Sequence, residues 1–287
     1  MWNHVAGSLA LDRPIVLGIV NVTPDSFSDG GRLLSIDAAV QHARTLVDEG
    51  ADIVDVGGES TRPQAASVAL EEELRRVVPV IEAIRAALPG VPISVDTVKS
   101  EVAARALEAG AAIVNDVSGF RLDARMAKVC ADRGAGVVLM HSRGDVADMA
   151  TFTHANYGAD VVGEVAGELA QAVERATRAG VARERIVIDP GIGFAKRSEH
   201  SLAVLAGLPR LVALGYPVMV GASRKRFIGE LTGVAAADER GAGSVGAHVG
   251  ALDRGAMLFR VHDVRVHRQA LDVAWAIAGA GAGPGRA

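Results

Sequence analysis

Short runs of apolar, mostly β-branched residues alternate along the chain with longer amphipathic stretches. The short runs predict eight strands, over 15–21, 52–57, 92–96, 112–116, 136–141, 185–189, 217–222 and 256–262. Most are apolar at nearly every position, which is typical of parallel strands covered on both faces. The longer stretches carry apolar residues at i, i+3 and i+4. They predict helices over 36–49, 70–88, 100–109, 124–133, 160–179, 200–214, 240–254 and 266–278.

A glycine recurs where a predicted helix gives way to the next strand, in phrases such as EGADIV, AGAAIV and RGAGVV. Glycine suits this place because the residue that ends a helix often adopts a left-handed conformation. Eight strand–helix units in succession predict an α/β fold of one domain, the (β/α)8 TIM barrel. The alternative is a doubly wound open sheet, which usually has fewer strands and a glycine-rich first turn. No GxGxxG follows the first strand here.

The predicted barrel occupies residues 14–279, between an N-terminal extension over 1–13 and a flexible tail over 280–287. Two connections are long, 22–35 after the first strand and 57–69 after the second. Both follow strands, so both are expected on the face where barrel enzymes build their active sites.

Composition and charge exclude several classes of protein. A hydrophobic content of 49% excludes disorder, and a lone Cys130 excludes a disulfide scaffold. A net charge of −4 and 3% aromatic residues argue against nucleic-acid binding. No apolar run is long enough to span a membrane, and the N-terminus lacks the pattern of a signal peptide. We therefore expect no membrane partner and a cytoplasmic location.

Polar residues end every predicted strand. They include Asn21, Asp55, Asp96, Asn115, His141, Asp189, Ser223, and Arg260 with His262. Any one of them could be a turn-former or a helix cap. That interpretation explains poorly why all eight strands end this way, whereas a site at the carboxyl ends of barrel strands explains it directly.

This ring of side chains suits an anionic ligand joined to a heterocycle. Arg62, Lys225, Arg260 and His262 could hold a phosphate or pyrophosphate. Asn21 beside such a group could help to bind Mg²⁺, which prefers a few protein oxygens plus phosphate and water. The carboxylates and the carboxamide at 96, 115 and 189 suit a ring rich in N–H donors. Zinc, nucleophile-elbow and P-loop motifs are absent from the sequence.

Seven strings in order carry a family resemblance: NVTPDSFSDGG (21–31), DVGGESTRP (55–63), SVDT (94–97), NDVSG (115–119), DPGIGFAK (189–196), GASRKRF (221–227) and RVHDV (260–264). The chain resembles dihydropteroate synthases over about residues 14–279. The resemblance implies a barrel that joins 6-hydroxymethyl-7,8-dihydropterin pyrophosphate to p-aminobenzoate and releases pyrophosphate. It also implies folate biosynthesis, a requirement for Mg²⁺ and a homodimer.

The resemblance assigns roles to matching positions. The catalytic set is Asn21, Arg62, Lys225, Arg260 and His262, with Asn21 as the magnesium ligand. The pterin-binding set is Asp96, Asn115, Val117, Met140, Asp189, Gly221 and Lys225. The pyrophosphate-binding set is Thr61, Arg62, Arg260 and His262. The p-aminobenzoate pocket takes Phe27, Ser28, Pro63, Phe194, Ser223 and Lys225.

The chain departs from the family pattern at Gln64, where the family usually has glycine after Thr-Arg-Pro. Two other hypotheses remain. A methyltetrahydrofolate-binding methyltransferase domain would share the barrel and the pterin contacts, but would give no reason for SRKRF or RVHDV. A catalytically silent pterin-binding paralogue would have no chemical need for the complete catalytic and binding set.

Overall fold

The computed structural model describes residues 1–22, 31–59 and 67–280. Its strands are β1 (Trp2–His4), β2 (Gly7–Leu9), β3 (Ile15–Asn21), β4 (Ile53–Gly57), β5 (Ile93–Asp96), β6 (Ile113–Asp116), β7 (Gly136–Met140), β8 (Ile186–Asp189), β9 (Met219–Val220) and β10 (Leu258–Val261). All eight strands predicted for the barrel are confirmed. Each keeps its predicted place to within a few residues.

The helices are α1 (Gly31–Asp48), α2 (Leu70–Ala87), α3 (Ser100–Glu108), α4 (Met126–Arg133), α5 (Val161–Arg178), α6 (Ser198–Ala206), α7 (Leu208–Val212), α8 (Arg226–Thr232), α9 (Gly241–Asp253) and α10 (Val264–Ala280). The prediction of one helix over 200–214 was wrong. The chain breaks at Gly207 and restarts with Pro209 in the first turn of α7. Helix α8 was not predicted; it is the first helix after β9.

Strands β3 to β10 form one parallel sheet in the order β8-β7-β6-β5-β4-β3-β10-β9. A bridge between Ile188 and Val218 joins the two edges, so the sheet closes on itself. This confirms the (β/α)8 barrel. Glycines end the helices as predicted; Gly134 after α4, for example, has φ +63°.

Two apolar clusters explain why the strands are apolar on both faces. One lies between the sheet and the helices, where residues such as Val54 of β4 pack with Val77 of α2. The other fills the barrel interior with alternate residues of the same strands, including Leu17, Ile53 and Val187. The interior cluster is therefore a packed core rather than a channel.

The segment 1–13 contributes to this core. Strands β1 and β2 pair as a hairpin, and Trp2 is fully buried among the interior residues. The indole Nε1 of Trp2 donates to the carbonyl of Arg185 at 2.9 Å, just before β8. The hairpin thus covers the end of the barrel opposite the carboxyl ends of the strands. Among the described helices, none has the length and apolar character needed to cross a membrane.

Candidate active site

The carboxyl ends of β3 to β10, here called the mouth, bring most of the predicted site residues together. Strand register places Asn21, Gly57, Asp96 and Asn115 beside one another across β3, β4, β5 and β6. On the other side of the barrel, Met140 of β7 lies beside Asp189 of β8 in the same way. Residues far apart in sequence share this level because parallel strands end together.

Arg260 is held by two carboxylates at the centre of the mouth. Its Nε donates to Asp55 Oδ2 at 2.6 Å, and its Nη2 donates to Asp96 Oδ2 at 2.7 Å. Burial raises the pKa of Asp96 to about 7, despite the opposing effect of Arg260. Burial opposes the charge on Arg260, but Asp55 and Asp96 raise its pKa above the usual value. Arg260 therefore stays charged between its two carboxylate partners.

Asp55 had no assigned role in the sequence. Its carboxylate is fully buried and lies within hydrogen-bond reach of Asn115 Nδ2, at 3.5 Å, as well as of Arg260. A charged residue in the middle of the apolar run IVDVG is a sequence signal for such a pair, because buried carboxylates need partners. Asp55 therefore orients both Arg260 and Asn115.

Asp189 is buried at the end of β8, and its Oδ1 accepts from the backbone N–H of Gly191 at 2.6 Å. Burial raises its pKa to about 6, although the Gly191 N–H and nearby Lys225 act in the opposite direction. The other oxygen, Oδ2, lies near Gly221, where an added Cβ would be 3.9 Å away. A small residue at 221 therefore leaves the approach to this carboxylate open.

Apolar residues form the walls between these polar groups. Val117 and Met140 are buried in one cluster with Phe194 at the mouth. The ammonium of Lys225 lies 4.1 Å from the centre of the Phe194 ring, a cation–π contact. Burial, together with the charge of Arg260, lowers the pKa of Lys225 to about 8. Lys225 is therefore a cation that the protein holds largely away from water.

Ser223 and His262 form a pair where the chain leaves β9 and β10. The Ser223 hydroxyl lies 3.0 Å from His262 Nδ1, and its oxygen accepts from the His262 backbone N–H at 3.3 Å. Burial and the charges of Arg260, Arg224 and Lys225 lower the pKa of His262 to about 3. The ring is therefore neutral at pH 7, unlike the cationic side chains of Lys225 and Arg260 beside it. When the hydroxyl donates to Nδ1, the ring proton lies on Nε2, which can donate to a phosphate.

Sequence reasoning missed a buried network behind the Phe194 wall. Lys196 is 1% exposed; its Nζ lies 2.7 Å from His141 Nδ1 and donates at 3.1 Å to the carbonyls of Gly191 and Phe194. His141 Nε2 in turn lies 3.1 Å from Glu168 Oε2. The string DPGIGFAK contains Lys196, but nothing in the spacing indicates that its amine is buried.

Glu59 braces the chain at the start of the second long connection. Its Oε2 accepts from Lys99 at 2.8 Å, and its Oε1 accepts from the backbone N–H of Val68 at 2.6 Å. The second bond ties residue 59 to residue 68. Six residues singled out in the sequence, Phe27, Ser28, Thr61, Arg62, Pro63 and Gln64, lie outside the described residues.

Asn21 fits a magnesium ion better than a softer metal. An added Cβ at Gly57 would lie 3.9 Å from Asn21 Oδ1 and 3.8 Å from Asp96 Oδ2, so these two oxygens flank the same glycine. Within residues 1–22, 31–59 and 67–280, no group of three or more His, Cys, Asp and Glu side chains could hold a metal. A hard ion that takes few protein oxygens and completes its shell with ligand oxygens and water suits this place.

The family comparison agrees with this geometry. Residues 17–262 match the family of pterin binding enzymes, a range that includes the strand ends and the residues of the mouth. The dihydropteroate synthase of Mycobacterium leprae (strain TN) is 49% identical over 271 residues, covering 92% of this chain and 94% of the relative.

Solved structures agree as well. The dihydropteroate synthase of Xanthomonas albilineans, with 4-aminobenzoic acid, has a TM-score of 0.87 at 50% identity, over 94% of this chain and 95% of that one. The Burkholderia cenocepacia enzyme, complexed with 7,8-dihydropteroate, has a TM-score of 0.87 at 40% identity, over 98% and 97%. The chain belongs to the dihydropteroate synthase family within the pterin binding enzymes.

Proposed function

We propose that the mouth joins 6-hydroxymethyl-7,8-dihydropterin pyrophosphate to p-aminobenzoate, giving 7,8-dihydropteroate and pyrophosphate in folate synthesis. One observation carries the proposal. Asp96, Asn115 and Asp189 are buried acceptors at the ends of β5, β6 and β8, and Arg260 and Lys225 share their mouth. Family membership supports it, as do the relatives solved with 4-aminobenzoic acid and with 7,8-dihydropteroate.

The pterin ring is the ligand of the buried acceptors. An ionised Asp189 accepts two parallel N–H bonds from the 2-amino and N3 edge, a geometry that rejects rings without those donors. Asn115 and Asp96 reach the rest of the ring, with Lys225. The Oδ1 atom of Asn115 is buried without a hydrogen bond to any described residue, so a donor on the ligand would satisfy it. Val117 and Met140 pack against the faces of the ring.

The pyrophosphate lies toward Arg260 and His262, with Thr61 and Arg62 from the second connection. Arg260 supplies a fixed positive charge, and the neutral His262 supplies an Nε2–H donor. These groups stabilise the charge that builds on the leaving oxygen as the C–O bond breaks. Asn21 would hold Mg²⁺, which when bound neutralises part of the same charge.

The reaction follows a dissociative route. The methylene carbon keeps its positive charge after the C–O bond breaks, because an electron-rich dihydropterin delocalises it. The amine of p-aminobenzoate is neutral at pH 7, and its nitrogen lone pair forms the new C–N bond. The nitrogen then loses one proton to the released pyrophosphate or to solvent, so no strong base is needed. Positioning and electrostatics then carry the catalysis. The p-aminobenzoate pocket keeps water away from this carbon. It consists of Phe194, Ser223 and Lys225, together with Phe27, Ser28 and Pro63 from the two long connections.

A homodimer is the proposed assembly, through the outer faces of α9 and α10. Val249, Val266, Ala270, Val273, Ala274 and Ile277 line a shallow apolar groove there. Val273 and Ile277 are 61% and 69% exposed in the single chain. Apolar surface of this kind is costly in water, and a second copy of the same face covers it with a two-fold interface.

The direct test is pyrophosphate release by the purified protein with Mg²⁺ and the dihydropterin pyrophosphate, with and without p-aminobenzoate. We expect release that depends on p-aminobenzoate, with an equal amount of dihydropteroate formed. Tight pterin binding without release would instead favour a methyltransferase-type or silent pterin-binding role.

A further inference from the structure

The turn Ala222–Lys225 carries two side chains of the proposed site, Ser223 and Lys225, yet little of the sheet holds it. The strand before it, β9, has two residues. At the centre of the turn, Arg224 has φ +60°, a left-handed conformation that costs energy for any residue with a Cβ. Such a conformation persists only where the surrounding structure holds it.

Helix α9 restrains the backbone of the turn, while the Arg224 side chain is held separately by Asp263, whose Oδ2 accepts from Arg224 Nε at 3.0 Å. His248 Nε2 accepts from the backbone N–H of Ala222 at 3.0 Å, and Ser244 Oγ accepts from the backbone N–H of Arg224 at 2.9 Å. Arg240, just before the helix, donates from Nη1 to the carbonyl of Arg224 at 3.2 Å. Both His248 and Ser244 are fully buried, so water does not compete for these backbone groups. The two N–H groups that flank Ser223 are therefore fixed from one helix.

The hydrogen bond from Ala222 determines the form of the His248 ring. Because Nε2 accepts, the ring is neutral and its proton lies on Nδ1. Burial, with His267 beside it, lowers the pKa of His248 well below the usual value and so keeps the ring neutral. Edge-to-face contact with Phe259, 5.5 Å between ring centres, fixes its orientation.

We propose that His248 and Ser244 are positioning residues of the synthase reaction: they hold the turn Ala222–Lys225 so that Ser223 meets His262 and Lys225 lies over Phe194. The inference rests on the proposed function. Both side chains bind backbone N–H groups of the turn, so each acts through that backbone and is not a catalytic residue. The observed Ser223–His262 and Lys225–Phe194 contacts, at 3.0 Å and 4.1 Å, are the ones that depend on this restraint.

The test compares two substitutions at one position. His248→Leu removes the acceptor, whereas His248→Gln keeps one, because the glutamine Oε1 can accept from the Ala222 N–H. We expect His248→Leu to raise the KM for p-aminobenzoate about tenfold, since a buried N–H loses its partner and the turn shifts. His248→Gln should restore most of that loss. Pterin binding, which depends mainly on Asp96, Asn115 and Asp189, should change much less.

His4→Leu is the matched control for loss of a buried histidine. His4 is 6% exposed and lies in the hairpin at the opposite end of the barrel. Equal KM values for His248→Leu and His248→Gln, or the same rise in His4→Leu, would overturn the proposal. Ser244→Ala removes the acceptor for Arg224 and should raise the same KM, so the test stands even if His248→Leu does not fold.

A second readout does not depend on turnover. In ¹⁵N-detected spectra of the parent protein, the His248 ring should show a proton on Nδ1, assigned by its loss in His248→Gln. The amide protons of Ala222 and Arg224 should exchange slowly, and that of Ala222 should exchange at least tenfold faster in His248→Leu. A proton on Nε2, or unchanged exchange at Ala222, would overturn the inference. Absence of dihydropteroate formation by the parent would overturn the proposed function alone.

Discussion

At the scale of single residues, burial makes a common polar side chain selective for a ligand with the matching hydrogen-bonding groups. Asp189 could cap a turn in any protein, and it does accept from the Gly191 N–H at 2.6 Å. The carboxyl group is buried and has few other partners, and this burial raises its pKa to about 6. A ligand with N–H donors replaces the hydrogen bonds to water that the carboxylate lost on burial. This replacement is the physical basis of recognition at Asp189.

We predict that Asp189→Asn abolishes pterin binding and leaves the fold intact. Asparagine keeps the shape and can still accept from the Gly191 N–H, but its NH₂ group faces the ring's donors. Calorimetry with the pterin substrate and a thermal melt measure the two effects. Asp52→Asn is the control, because Asp52 Oδ2 also accepts a backbone N–H, from Val16 at 2.9 Å, but outside the mouth. Unchanged pterin affinity in Asp189→Asn would refute the assignment of β8 to the ring edge.

Pterin affinity should also depend on pH. Bound pterin requires the ionised carboxylate, whereas burial raises the pKa of Asp189 to about 6. Below that pH a proton must leave before the ligand binds, so affinity falls by up to about tenfold per pH unit as pH drops. Asp96, with a pKa of about 7, adds to the same trend. Titrations between pH 5 and pH 8 would reveal it, and a flat profile would contradict it.

Gln64 stands where the family usually has glycine, and its substitution by glycine tests whether p-aminobenzoate binding depends on that difference. Glycine adopts positive φ without steric cost, whereas glutamine does not. We expect Gln64→Gly to alter the KM for p-aminobenzoate by less than tenfold. Steady-state kinetics with varied p-aminobenzoate would measure it, with the KM for the pterin substrate as the internal control. A larger change would mean that the p-aminobenzoate pocket depends on this residue.

At the scale of elements, substitutions in the N-terminal hairpin should change the stability of the protein without changing its activity. Trp2 fills the barrel interior from the end opposite the mouth. We predict that Trp2→Ala lowers the free energy of unfolding by about 3–5 kcal/mol, because it leaves a large cavity. Urea denaturation measures that change, and both KM values should stay at the parent level. Trp2→Phe keeps most of the apolar contact and loses the hydrogen bond to Arg185, so its cost should be about 1 kcal/mol.

A change of either KM in folded Trp2→Ala would show that packing at the hairpin end of the barrel affects the geometry of the mouth. Substitutions in helix α9 should behave differently from those in the hairpin. Its buried side chains contact the backbone of the site, and substitutions there should change KM as well as stability.

At the scale of the whole molecule, the apolar face of α9 and α10 should decide the oligomeric state. Val273→Glu places a charge in the groove, and we expect a monomer, since burying an unpaired carboxylate in an interface is costly. Light scattering after size-exclusion chromatography measures the mass. Leu231→Glu is the matched control: Leu231 is 62% exposed, like Val273 at 61%, but lies on α8 outside the groove. A monomeric parent, or a dimer that survives Val273→Glu, would exclude this interface.

The sequence by itself determined the strands, their parallel arrangement and the set of polar residues at their ends. These follow from local periodicity: a strand covered on both faces is apolar at most positions, and polar residues become frequent where it ends, as at Asn21 and Asp189. It did not indicate the division of 200–214, where Gly207 and Pro209 override the helical pattern, nor the hairpin.

Only the tertiary structure decided how the polar residues act. Arg260 and Asp55 are 205 positions apart, and no local pattern indicates that they pair. The neutral state of His262, the burial of Lys196 and the hold of His248 on Ala222 likewise depend on which groups the closed barrel brings together. Protonation and hydrogen bonding are set by burial and by neighbours across the fold, and those neighbours exist only once the eight strands have met.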